Sequence, residues 1–473
     1  MALTGLDIFK LLPKTNCKKC GMPTCLAFAM ALAQKRAKLE DCPFVSEEAK
    51  EKLAAAAAPP MRKIVFGSGD NQVQIGQETV VFRHEEKFHN PTVLAVTVSD
   101  KLAGEELKRR IESINALQFE RVGTKIGVRA IAVVNDSGST KNFAETCAAV
   151  KSKSPLALIL VTESAEAMAA AISSTGFQPV KTRPGWPCHG VEGMVPLLAS
   201  AKPDTADAMA KIAKENGCPL VAKAESIENL CELTEKIKAQ GVEDIVLNLA
   251  GMNIRDQLYG LSRMRALALK KVFRPLGYPT ISFTRCLMLD TRNENRESRI
   301  EDREAAVAIS LICKYSSIVV VDTVEAFSVL PMLTAVMNIF TDPQKPVQVE
   351  PKVYTVGEPD KDSPLMFTTN FSLTYYTVES DVEASRVPSY ILVVDTEGTS
   401  VLTAYSGDKL NEKTVADAMA KHRVEELVKH RKLIIPGYVA VMSGKLEEVT
   451  NWEIMVGPRE SSMLPKYLQE VWK

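Results

Sequence analysis

The chain has 473 residues, 46% hydrophobic and 25% charged, with 58 Lys and Arg against 58 Asp and Glu; this is ordinary globular composition in a chain longer than one core usually serves, so two to four domains are expected. Zero net charge leaves no excess of cations to displace phosphate counterions, which argues against a nucleic-acid partner. Ten cysteines are too sparse for a disulfide scaffold, no run approaches the roughly 18 apolar residues of a membrane span, and the first residues lack a secretory signal, so the cytoplasm is the expected address and no membrane partner is expected.

In chain order, residues 1–58 form a first unit that closes with an Ala-rich helix over 47–58, ended by Pro59 and Pro60. Residues 59–92 read as a linker or β-arm, with short alternating segments at 63–66 and 79–82. Over 93–325 short apolar runs recur at 93–98, 128–134, 156–161, 195–199, 219–222, 245–249, 280–283 and 318–321, most of them followed by an amphipathic helical segment. Eight strands alternating with helices fit a TIM (β/α)8 barrel, with an open doubly wound sheet as the alternative. Residues 326–351 read as a second linker, Pro-rich over 341–351. Residues 352–473 then resume as a separate, Rossmann-like α/β domain, with strands at 371–377, 390–394, 433–435 and 452–456 and helices at 411–421 and 461–471.

Four cysteines crowd into the first unit as Cys17-x2-Cys20-x4-Cys25 followed by x16-Cys42-Pro43. A cuboidal cluster needs one thiolate per iron, and three close ligands on a turn with a fourth returning later meet that need, so a 4Fe-4S cluster is expected on Cys17, Cys20, Cys25 and Cys42. Structural zinc is the competing reading, but its usual signature is two separated ligand pairs. The remaining cysteines, including Cys188 beside His189, read as small buried hydrophobes.

In the last domain two hydroxyl-dense segments, 368–376 and 395–405, suit a ligand with amide or phosphate groups. The second follows a strand, where open α/β sheets bind ligands. The glycine turns at 434–438 and 456–460 would line the same sheet edge.

The runs TGLDIFKLLPKTNCKKCGMPTC, FRHEEKFHNP, TTNFSLTYY, PSYILVVDTEG, IIPG and NWEIMVGPRE resemble the large (gamma) subunit of the corrinoid iron–sulfur protein of the acetyl-CoA synthase/CO dehydrogenase (Wood–Ljungdahl) pathway, over essentially the whole chain. The resemblance implies an N-terminal 4Fe-4S domain, a TIM barrel and a C-terminal cobalamin-binding domain. It implies corrinoid contacts at Thr368, Thr374, Gly398, Thr399, Ser400 and Val401, with further ones near Asp417 and Leu464. It also implies a methyl carrier: Co(I) accepts a methyl group from methyltetrahydrofolate through a separate methyltransferase, methyl-Co(III) passes it to acetyl-CoA synthase, and the cluster returns inactive Co(II) to Co(I). The implied partners are a small barrel subunit forming a heterodimer, that methyltransferase, and acetyl-CoA synthase/CO dehydrogenase. The chain departs from the family pattern at 177–194 and 291–303.

The five histidines form no Asp-x-His-x-x-Gly pattern, so a base-off corrinoid with no protein ligand to cobalt is expected, suited to a Co(I) cycle. The chain then reads as a methyl-transferring corrinoid protein more than a stand-alone enzyme. Two alternatives stay open: a ferredoxin-like activator that reduces another protein's corrinoid, and a pterin-dependent methyltransferase whose barrel uses Asn248, Asn253, Arg255 and Asp290.

Overall fold

A computed structural model describes residues 5–33, 36, 37, 39–46, 49, 59–176, 194–288 and 300–472. The expected helix over 47–58, the pair Cys188 and His189, Asp290, and most of the two divergent stretches lie outside the described residues. The chain divides into two compact units, Met1–Gln118 with Gly127–Phe340, and Phe119–Ile126 with Thr341–Lys473.

In the first unit, helices Gly5–Leu11 and Cys25–Ala33 meet around Ile8, Leu12, Phe28 and Ala29, which are buried together with Cys25, Cys42 and Val45. The eight-stranded parallel sheet consists of β3 (Val93–Ser99), β6 (Ala130–Val134), β7 (Ala157–Val161), β8 (Leu197–Ala201), β9 (Leu220–Ala224), β10 (Ile245–Leu249), β11 (Ile281–Phe283) and β12 (Ile318–Val321). They lie in sequence order, β12 returns to pair with β3, and a bridge between Leu247 and Thr280 joins β10 to the start of β11, so the barrel is nearly closed. Its strands are apolar on both faces because helices cover the outside and other strands fill the inside. Inward positions alternate with period two and are kept small, as at Ala95, Ala130, Ala132, Ala157 and Ala199.

An antiparallel hairpin, β1 (Lys63–Phe66) and β2 (Val73–Gly76), contributes Ile64, Phe66, Val73 and Ile75 to that same core. The second hairpin strand falls at 73–76 and not at the expected 79–82, because the chain turns back at Gly67 and Gly69, both with positive φ. Helix Ala326–Phe340, in the stretch that reads as linker, belongs to this first unit.

The second unit is built on a five-stranded sheet of β13 (Val353–Val356), β14 (Leu365–Thr369), β15 (Ser389–Val394), β16 (Lys432–Ile435) and β17 (Glu453–Val456). The order is β13-β15-β14-β16-β17, with β13 antiparallel and the rest parallel. Helices Ser372–Ser385 and Leu464–Val471 pack on one face through Tyr375, Val382, Leu464 and Leu468. The other face is covered through Ala404, Val415, Met419 and Leu446. From β14 the chain therefore leaves first to one side and later to the other, and a crevice opens beyond the carboxyl ends of β14 and β16.

The stretch 371–377, expected as a strand, is instead the start of helix Ser372–Ser385. Its Thr and Tyr content favours strands locally, but Tyr375, Val382 and Ser385 recur at helical spacing and are buried. The hairpin β4 (Gln118–Arg121) and β5 (Thr124–Gly127) has no counterpart in the sequence reading; Val122 and Gly123, both at positive φ, form its two-residue turn. Among the described residues no helix is long and apolar enough to cross a membrane.

Candidate functional site

A cavity of about 330 Å³ occupies the crevice of the second unit. The end of β14 supplies Met366, Phe367 and Thr368, and the next helix supplies Leu373, Thr374 and Thr377. Ser400, Val401 and Leu402 come from the segment after β15, Pro436 and Tyr438 from the turn after β16, Gly457 to Ser461 from the turn after β17, and Leu464 from the last helix.

The cavity joins apolar walls to the Thr368 hydroxyl, which lacks a protein partner. Thr368 and Thr369 are 1% and 0% exposed, and neither side-chain oxygen has a hydrogen-bond partner. A buried hydroxyl left unpaired costs about 1–3 kcal/mol, a cost that a ligand at Thr368 would remove. Behind the lining the two turns are joined through backbone: the amide of Gly437 donates to the carbonyl of Pro458 at 3.1 Å, and that of Gly457 donates to the carbonyl of Ile435 at 2.9 Å. A Cβ at Gly437 would stand 2.5 Å from the Gly457 oxygen. At the rim the Tyr438 hydroxyl donates to Glu460 at 2.6 Å, and that carboxylate raises the pKa of the phenol.

Of the residues singled out in the sequence, Thr368, Thr374, Ser400, Val401 and Leu464 converge on this cavity. Gly398 and Thr399 sit just before Ser400 without lining it, and Asp417 is exposed on helix Glu412–Lys421, outside the lining. Among the described residues no histidine lines it; His430 instead bonds the carbonyl of Ser363, ahead of β14.

Asn370 was missed. It is fully buried directly after β14, and its side-chain oxygen accepts from the Thr396 amide (3.0 Å), the Thr396 hydroxyl (3.1 Å) and the Gly398 amide (2.9 Å). Its side-chain nitrogen donates to Gln348 at 3.2 Å and to Asp395 at 3.0 Å. The available signal was its place in the TTNF run at a strand end, where a lone amide among β-formers marks a turn.

In the N-terminal segment Cys20, Cys25 and Cys42 pack into one apolar cluster, and Cys17 is exposed on the preceding loop. The Asn16 amide donates to the Cys25 sulfur at 3.4 Å, and the Cys25 amide donates to the Asn16 side chain at 2.9 Å. A backbone hydrogen bond from Lys19 lowers the Cys17 thiol pKa, and Thr15 adds to the effect. Among the described residues no three Cys, His, Asp or Glu side chains stand close enough to hold a metal ion. Thiol side chains are the donors that iron–sulfur clusters use.

The barrel mouth holds a second cavity, of about 400 Å³, lined by Asn248, Lys223, Arg285 and Asp322 among others. Its charges are paired with one another: Arg285 bridges Asp136 and Asp322, and Glu163 bridges Lys202 and Lys223. Of the described residues considered for a pterin, Asn248 lines this cavity, whereas Asn253 caps helix Ile254–Lys270 and Arg255 lines a separate pocket.

Comparison with known proteins follows the same division. A family model described as CO dehydrogenase/acetyl-CoA synthase delta subunit matches residues 63–468, and an Fe-S cluster family model matches residues 12–44. The corrinoid/iron–sulfur protein large subunit of Moorella thermoacetica is 42% identical over 463 residues, covering 98% of this chain and 97% of that protein. Acetyl-CoA decarbonylase/synthase complex gamma subunits of Methanothermobacter thermautotrophicus and Methanopyrus kandleri are 38% and 34% identical, with 99% and 98% of their lengths covered and 100% and 99% of this chain. Matched along nearly the whole length of these relatives, the chain belongs to the CO dehydrogenase/acetyl-CoA synthase subunit family that includes the corrinoid/iron–sulfur protein large subunits.

Proposed function

We propose that the chain is a methyl carrier that holds a corrinoid in the cavity of its second unit and keeps it active through a 4Fe-4S cluster on Cys17, Cys20, Cys25 and Cys42. The observation that carries the reading is the cavity itself: a crevice at the topological switch point of the five-stranded sheet, apolar in its walls, with the buried Thr368 hydroxyl still lacking a partner. The residues fit a large ring edged with amides. Thr368, Thr374 and Ser400 offer hydroxyls, and Val401 and Leu464 offer apolar contact.

When bound, the corrinoid supplies a cobalt that takes up and releases a methyl group, and the cluster supplies the electron that restores it after oxidation. The chain's own part is to bind and orient. With no histidine among the described lining residues, the cofactor would sit base-off with no side chain on its metal. Cys17, Cys20, Cys25 and Cys42 would hold the cluster, whose binding would add to the stability of the N-terminal segment, as metal binding and folding are coupled in small cysteine sites. The proposed partners are a small barrel subunit, a methyltetrahydrofolate methyltransferase and acetyl-CoA synthase/CO dehydrogenase, in line with the complexes named for the relatives.

Anaerobic purification with metal analysis, followed by EPR and optical spectra before and after a low-potential reductant, tests this. About four irons and one cobalt per chain, with a base-off spectrum, is the expected result. Iron without cobalt, in a preparation supplied with corrinoid and small subunit, would leave an electron-transfer protein as the better account.

A further inference from the structure

We infer that Asn370 is the positioning residue of the cavity, setting the place of the loop that carries Ser400 and Val401; the inference rests on the corrinoid reading above. Asn370 does not line the cavity. It acts one layer behind, where its side-chain oxygen gathers the Thr396 amide, the Thr396 hydroxyl and the Gly398 amide. The loop has hydrogen bonds of its own, from the Thr396 hydroxyl to the Thr399 carbonyl at 3.0 Å, from the Thr399 hydroxyl to the Thr396 carbonyl at 2.7 Å and from the Glu397 amide to Asp395 at 3.0 Å, but these lie within residues 395–399 and do not tie it to β14. Glu397 is left-handed at φ 55°, a conformation that a residue other than glycine holds with the help of surrounding contacts, and Gly398 follows at φ 74°. The ion pair of Glu397 with Lys409 is between side chains 75% and 40% exposed and so adds little.

A carboxamide is the side chain the position requires. The same planar group must accept three hydrogen bonds from the loop and donate two, to Asp395 and to Gln348. A carboxylate would keep the acceptor and face the Asp395 carboxylate with like charge. The backbone of Asn370 is equally committed, its amide donating to Val394 at 2.9 Å and its carbonyl accepting from Val349 at 3.0 Å. One buried residue thus ties β14, the loop after β15 and the segment entering the unit.

The test uses the full chain with its small subunit, cobinamide as the titrant, and Asn370→Ala, Asn370→Asp and the milder Thr396→Val. The readouts are optical binding curves and hydrogen exchange of individual amides. We expect exchange at Thr396 and Gly398 to rise by about tenfold or more in Asn370→Ala, which loses the acceptor, and by less in Asn370→Asp, which keeps the acceptor but faces Asp395 with like charge, while β15 stays protected because the change is local. Cobinamide affinity should fall about tenfold or more, with Thr396→Val in between. Unchanged exchange at 396 and 398 would overturn the inference, as would loss of protection across the whole sheet with unaltered affinity of the folded fraction. Wild-type chain that takes up no cobinamide would overturn the corrinoid reading and this inference with it, whereas wild-type uptake with unaltered variants overturns the inference alone.

Discussion

At the scale of single residues, the cavity makes opposite demands on stability and on binding. The Thr368 hydroxyl is buried without a protein partner, so Thr368→Val removes an unpaired polar atom at nearly constant volume. The ligand-free protein should be unchanged or more stable by up to about 1 kcal/mol in urea denaturation, while corrinoid affinity falls; a clear loss of stability without ligand would contradict that account. Gly437→Ala works the other way, because its Cβ would meet the Gly457 oxygen at 2.5 Å and the Arg459 amide at 2.8 Å. We expect a loss of about 1–3 kcal/mol in the same denaturation experiment, since backbone cannot swing aside as a side chain can. The cysteines separate by environment. Burial pushes the Cys218 thiol up to about 12 and raises Cys147 further, while Cys286 and Cys313 are exposed. Iodoacetamide at mildly alkaline pH, read by mass spectrometry, should label Cys286 and Cys313 rapidly and the two buried thiols only on unfolding.

At the scale of elements, the hairpin β1–β2 is part of the barrel core. Phe66 is fully buried among Ile64, Val73, Ile75 and the inward residues of the barrel strands. Phe66→Ala should cost about 3–5 kcal/mol, measured as a shift in the denaturation midpoint of the barrel. A shift below about 1 kcal/mol would mean that the hairpin only rests on the barrel. The same scale explains the misread strand at 371–377. Thr and Tyr favour extended chain by crowding at Cβ, yet β14 ends at Thr369, and Asn370 spends its hydrogen bonds on the neighbouring loop. Past that point the chain has only a helical face to bury, through Tyr375 and Val382.

For the whole molecule, the Pro-rich stretch 341–351 divides into two parts. Gln348 bridges to Phe371, the Val349 amide donates to Asn370, and the Ser372 amide donates to Val347 at 3.0 Å. Residues 347–349 are thus built into the second unit, and Pro346 packs beside Gly398. A Gly-Ser insertion between 343 and 344 should leave corrinoid uptake unchanged, as flexible insertions cost little. The same insertion at 348 should weaken uptake, because Gln348 is bonded to Asn370 behind the cavity; equal effects at the two places, measured by the cobinamide titration, would refute this division.

Much of this protein is legible in its sequence because the relevant signals are local. The apolar runs of β3 through β12 betray strands buried on both faces, and their alternation with helices implies a barrel, which the parallel, nearly closed sheet bears out. The cysteine spacing marks a cluster site by ligand chemistry alone, and the segments around Thr368 and Ser400 mark a strand edge by hydroxyl density and glycine. The tertiary structure alone decided what depends on residues far apart in the chain. The order β13-β15-β14-β16-β17 turns two unremarkable strand ends, 369 and 435, into the two sides of one crevice. It also set Asn370 against a loop 26 residues away and left Asp417 outside the cavity. Periodicity and propensity act over a few residues, whereas a pocket exists only where the sheet reverses its order, and that is fixed by packing on both of its faces.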